Sequence, residues 1–234
     1  MQNDSHGNPP CGSPPITRPL QVQPMDTARP ADEVRACPGS PLGAAKPSVA
    51  PPGPVPASRG LLAEARQVPS PNFDQRPRGV AIDLLVIHNI SLPPGQFGGP
   101  GIEQLFLNCL DPDDHPYFAN IADVRVSAHL LIRRDGELVQ FVDLYQRAWH
   151  AGQSSFAGRS ACNDFSIGIE LEGTDTVPFT DAQYHRLARV TRSIRRRFPA
   201  IVPSRIAGHS DIAPGRKTDP GGAFDWVRYR ATLN

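Results

Sequence analysis

Proline is distributed so unevenly along this chain that it constrains where a folded body can lie. Of 27 prolines in 234 residues, 14 fall within the first 60. Runs such as Pro51-Pro52-Gly53-Pro54-Val55-Pro56 lack backbone donors, and no Phe, Trp or Tyr precedes Phe73. Such a stretch cannot bury enough apolar surface to offset its ordering entropy, so residues 1–60 are expected to form a disordered, polyproline-II-rich tail. A ligand for a proline-recognition domain is the functional alternative for this segment. Met1 to Pro10 offers neither the basic stretch nor the apolar run of a secretory signal, and Met25 is a second candidate start.

The remaining composition narrows the function classes. Lys and Arg number 24 against 23 Asp and Glu, a formal net charge of +1, without the basic footprint of a dedicated nucleic-acid binder. No apolar run approaches the ~20 residues that cross a bilayer. The four cysteines, Cys11, Cys37, Cys109 and Cys162, form no C-x-x-C pair. Free thiols in a reducing compartment are therefore expected, not a disulfide framework or a zinc knuckle.

Residues 61–234 read as a single α/β domain with a central mixed β-sheet flanked by helices. Ile82 to His88 is a short β-branched run that suits a buried strand. Ala128–Arg133 and Glu137–Val142 are predicted strands joined by Arg134-Asp135-Gly136, and Asp-Gly is a hairpin signal. Phe165 to Leu171 alternates, with Ser166, Gly168, Glu170 and Glu172 on the polar side. Thr180-Asp181-Ala182-Gln183 matches a capping box opening a helix that Pro199 stops, and Arg195-Arg196-Arg197 complements its C-terminal dipole. A strand over Arg205–His209, a loop over Ser210–Gly222 and a helix over Phe224–Leu233 complete the chain, with Phe224, Val227 and Ala231 expected on the helix's inner side.

Polar residues gather where these strands end. His88 closes the first strand, His209 closes a late one, and Asp219 follows ten residues on. Two imidazoles and a carboxylate leave a fourth tetrahedral corner for water, the pattern of a catalytic zinc site, although ligands so far apart also arise by chance. Lys217 is two residues from Asp219 and could face the same centre, where an oxyanion forms in acyl transfer. Burial would raise Glu170 toward the range of a general base. Glu172 shares its face, and alternation does not choose between them. His129 reads as a core or supporting histidine in place of a fourth ligand, His150 as a residue lining the cleft, and His115 and His185 as solvated.

Five segments carry a resemblance. They are Val86-Ile87-His88-Asn89-Ile90-Ser91-Leu92-Pro93-Pro94-Gly95, Arg125-Val126-Ser127-Ala128-His129, Arg147-Ala148-Trp149-His150-Ala151-Gly152, Asn163 through Asp175, and Gly208 through Gly221. From about Arg66 onward the chain resembles the zinc-dependent N-acetylmuramoyl-L-alanine amidase family, in its peptidoglycan-recycling branch. The resemblance implies one Zn²⁺ per chain held by His88, His209 and Asp219, with Glu170 as general base and Lys217 stabilising the transition state. It implies a small-molecule substrate, a 1,6-anhydro-N-acetylmuramic acid muropeptide cut between its lactyl group and L-alanine. Asn89 and Arg125, in matching motifs, are candidate contacts for sugar and peptide carboxylates, and Trp149 is a candidate to pack against the sugar ring, with a core or rim tryptophan as the alternative. A cytoplasmic monomer without nucleic-acid or membrane partners is expected. The alternatives are a muropeptide receptor without turnover and a secreted amidase acting on intact wall.

Overall fold

The apolar run around Leu84 becomes the middle of a sheet because both of its faces are covered. In a computed structural model, which describes residues 60–233, strands β3 (Leu84–Ile90) and β9 (Ser166–Glu172) pair in parallel from Leu84↔Ser166 to Ile90↔Glu172. Strands buried on both faces read as continuous apolar runs, which is how Leu84-Leu85-Val86-Ile87 reads. The full sheet runs β1 (Arg66–Gln67), β5 (Leu138–Gln140), β4 (Leu130–Ile132), β9, β3, β10 (Ile206–Gly208). Only β4 and β5 pair antiparallel, through the expected Asp135-Gly136 turn, where Gly136 takes φ 87°. The other junctions are parallel, so the sheet is mixed. Two short ribbons lie outside it: β2 (Phe73–Asp74) with β6 (Arg147–Ala148), and β7 (Ser155–Phe156) with β8 (Arg159–Ser160).

Helices cover both faces. On one, α2 (Asp181–Arg197) packs Leu187, Val190 and Ile194 against Leu85, Ile87, Ile167 and Ile169. Its capping box is complete: Thr180 Oγ1 accepts from Gln183 N at 3.1 Å, and Gln183 Oε1 accepts from Thr180 N at 3.1 Å. On the other face α1 (Gly101–Phe106) buries Ile102, Leu105 and Phe106 with Leu131 and Val139. The short α3 (His209–Ile212) follows β10 directly and adds Ile212 to a third cluster with Leu84 and Val86. Among the described residues no helix is long and apolar enough to cross a membrane.

Several expectations are corrected. His88 does not end its strand, which continues to Ile90. His209 opens α3, since its strand stops at Gly208. The last helix, α4, spans Trp226–Ala231, and Phe224 lies in the turn ahead of Asp225, whose side chain caps it by accepting from Arg228 N. Within it Tyr229 is the buried side chain, with Leu233 buried just past its end, while Val227 is 83% exposed and Ala231, also expected inward, is exposed. Cys162 is free and buried. Cys109 is disulfide-bonded, against the free-thiol expectation, because missing C-x-x-C spacing speaks only to pairs close in sequence. The expected tail over 1–60, with His6, Cys11 and Cys37, lies outside the described residues except for Gly60. That residue packs into the domain, donating to Asp143 Oδ2 at 3.2 Å and accepting from Gln140 Nε2 at 2.9 Å.

Candidate active site

Parallel pairing brings distant residues to one rim. His88 on β3 lies beside Glu170 on β9, and Ile87 beside Gly208, the residue before His209. A return loop then delivers Asp219, whose carbonyl accepts from Ser210 N at 2.9 Å. His88 Nδ1 is 3.0 Å from His209 Nδ1, and each is 3.1 Å from Asp219 Oδ2. A tetrahedral zinc with bonds of ~2.0–2.1 Å needs donor atoms roughly 3.3 Å apart. The triangle has that size.

The protons point the same way. His209 Nε2 faces the Ala151 carbonyl at 3.2 Å, which can only accept, so Nε2 carries the hydrogen and Nδ1 is bare. His88 Nε2 meets His150 Nδ1 at 2.9 Å. If it donates there, its own Nδ1 is bare as well. At most one proton is then available to three acceptor atoms in mutual contact, an arrangement that a cation satisfies. Burial, and next the neighbouring His209, lower His88 to a pKa of about 4, against the pull of Asp219. Burial alone would raise Asp219; an imidazole Nδ1 that carries a proton outweighs burial and holds the carboxyl well below the usual range, the part a cation takes over when both Nδ1 atoms are bare. The donor set fits a zinc ion.

Around the triangle the two strand glutamates separate. Glu172 is fully engaged: Oε1 accepts from Gly98 N at 2.6 Å and Arg133 Nη1 at 3.3 Å, and Oε2 from Arg134 N at 3.1 Å. Glu170 is 8% exposed, and among the described residues nothing hydrogen-bonds its Oε2. Burial, then the charge of Asp219, push its pKa well above the carboxylate range, with the Lys217 ammonium opposing them. Lys217 is half-buried, and its charge is felt at both His88 and Glu170.

The other site residues have partners of their own. Asn89, one step past His88 and so on the α2 face of the strand, donates to Asp175 Oδ1 at 2.7 Å. Arg125 is exposed and donates to the Ala122 carbonyl at 3.0 Å. Trp149 is half-buried; its carbonyl accepts from Ser127 N at 3.2 Å and its N–H donates to Ser127 Oγ at 3.1 Å. His129 has both ring nitrogens engaged: Nδ1 accepts from Gly168 N at 3.0 Å and Nε2 meets the Gln146 carbonyl at 3.1 Å. His115 is half-buried and accepts from Tyr117 N, a departure from the solvated reading. Sequence reasoning missed Arg76 and Asn163, which brace the site from behind. Asn163 lay inside a matching segment, whereas Arg76 carried no signal.

Comparisons with known proteins identify the family and the fold. Residues 78–222, more than half of the chain, match the model of the N-acetylmuramoyl-L-alanine amidase family. The chain belongs to that family. It is accordingly a hydrolase of amide bonds. The 1,6-anhydro-N-acetylmuramyl-L-alanine amidase AmpD of Citrobacter freundii is 64% identical over 174 residues, covering 74% of this chain and 92% of the relative. The AmpD of Escherichia coli K12 is 60% identical over 176 residues, covering 75% and 96%. A crystal structure of a selenomethionine AmpD derivative superposes with a TM-score of 0.73 at 63% identity, covering 75% of this chain and 97% of that one. The shared fold is the mixed sheet with its flanking helices.

Proposed function

We propose that residues 61–234 form a zinc-dependent catalytic domain that hydrolyses the amide between the lactyl group of 1,6-anhydro-N-acetylmuramic acid and the L-alanine of its stem peptide. The reading is carried by the triangle of His88, His209 and Asp219 beside a buried glutamate, Glu170, whose Oε2 has no hydrogen-bond partner among the described residues. The names of the relatives at 60–64% identity support the substrate class. Bound at the triangle, zinc would lower the pKa of a coordinated water toward ~7 and polarise the scissile carbonyl.

The chain's own groups supply the rest. Glu170 takes a proton from the attacking water onto its buried carboxylate and returns it to the departing amine of L-alanine. Its raised pKa suits that exchange near neutral pH. Lys217 sets a positive charge against the negative charge that develops on the carbonyl oxygen. Arg125, exposed, is available to a stem-peptide carboxylate, and the half-buried Trp149 offers a ring edge or face to the sugar.

We assign the reaction to cytoplasmic muropeptide recycling on the strength of the family branch, and to a monomer because the sequence carries neither heptads nor an apolar stripe. Incubation with a soluble anhydromuropeptide and zinc, read by mass spectrometry, should yield free stem peptide. Tight binding without release would make the protein a receptor. A secreted amidase acting on intact wall is the rival reading. Intact sacculi are therefore digested alongside, and a preference for them would overturn the recycling assignment.

A further inference from the structure

The two imidazoles of the triangle depend on a pair of residues that contribute no ligand. His150 Nδ1 lies 2.9 Å from His88 Nε2, and the carbonyl of the next residue, Ala151, lies 3.2 Å from His209 Nε2. Adjacent positions in the chain thus take the outer nitrogen of both rings. This arrangement holds only if the dipeptide itself is fixed. Its two backbone N–H groups converge on one atom: Asn163 Oδ1 accepts from His150 N at 3.1 Å and from Ala151 N at 2.8 Å.

Asn163 is in turn immobilised. It is 4% exposed, in the 3-10 turn Cys162–Asp164, and its carbonyl accepts from Arg76 Nη1 at 2.9 Å. The His150 ring is clamped on its other side. It lies so close over Gly168 that a Cβ there would come within 2.6 Å of it, and its Nε2 meets Ser166 Oγ at 3.1 Å. Arg216 Nη2 also donates to the Ala151 carbonyl, at 2.7 Å.

We infer that Asn163 is a positioning residue for the metal centre, its single carboxamide oxygen fixing the dipeptide that orients both imidazole ligands at once and, through the Ala151 carbonyl, the tautomer of His209. The inference rests on the ligand set proposed above. An imidazole whose outer N–H is held by an acceptor turns a bare, more basic nitrogen inward, and removing such outer partners typically costs ~10–100-fold in metal affinity. Two N–H donors require only an acceptor. An aspartate at this position preserves the clasp, and a leucine of similar size abolishes it.

The test is zinc affinity, measured by chelator competition on the full chain, together with the visible spectrum of the cobalt-substituted protein. N163L should bind zinc about 10–100-fold more weakly and shift the cobalt bands. N163D should stay within about threefold of the parent and keep its spectrum, a rescue that a general packing role would not give. H150L, which removes one handle and leaves Asn163 in place, should weaken zinc by about tenfold. A folded N163L with parental affinity and spectrum overturns the proposal; if N163L does not fold, parental affinity in H150L does so. H88A reports separately on the underlying reading, because a full zinc complement in that variant removes His88 from the ligand set whatever Asn163 does.

Discussion

Glu170 is the residue at which function and stability conflict. Its folded pKa is raised by burial, so ionisation favours the unfolded chain. In metal-free protein, Glu170→Gln should therefore raise the melting temperature, and the gain should grow as pH rises above the ordinary carboxylate value of about 4.5. The same change should cut turnover by about 10²–10⁴-fold with zinc retained. Calorimetry and kinetics on one preparation check both signs. Unchanged stability would mean the carboxyl is not desolvated as described. For the parent enzyme the acidic limb of kcat should lie above the usual carboxylate range, since a base must be ionised to act. Lys217→Met should lower kcat by about 10²–10³-fold with little change in KM, as loss of a charge used only in the transition state requires. An equal loss in KM would make Lys217 a ground-state contact. At this scale the sequence was only partly readable. Alternation placed Glu170 and Glu172 on one face, but the partners that occupy Glu172 (Gly98, Arg133 and Arg134) come from loops far away in sequence, beyond the reach of local periodicity.

Among the elements, those with strong local signals exist as read, although the strand bounds shifted by one or two residues. The β-branched run, the Asp-Gly hairpin and the Thr180 capping box each carry their cause within a few residues. Thr180→Ala should cost about 1 kcal/mol. It removes the bond to Gln183 N and the one donated to the Arg134 carbonyl, and leaves the rim of β3 and β9 in place. Denaturant unfolding should show the loss, with activity per folded molecule unchanged. A drop in specific activity would mean that α2 sets the site more tightly than its packing suggests. The last helix was misread because its start is set by the Asp225 cap, one residue past Phe224. Phe224 lies outside the helix and so does not set its inner face, and Tyr229 is buried where Val227 was expected.

For the whole molecule, the site is a product of strand order. β3 has β9 on one side and β10 on the other, and no pattern within 88 or 209 announces that adjacency. The resemblance supplied the triad, whereas spacing alone did not. The histidines gathered behind the rim also tie global stability to acidity. Burial, then the Arg76 charge, lower His129 to a pKa of about 3, so its contribution is complete above about 6.5 and is lost as pH falls toward 3. Metal-free protein should unfold at progressively lower denaturant across that interval, and His129→Gln should flatten the slope. A slope identical to the parent's would contradict the buried neutral state.

The most direct test is elemental analysis of purified protein beside its His88→Ala variant. About one zinc per parental chain is expected from a single three-ligand site, with the metal nearly absent from the variant. Parental protein that retains no zinc after gentle purification in zinc-supplemented buffer, or a variant that keeps its full complement, would contradict the central claim that His88, His209 and Asp219 share one ion.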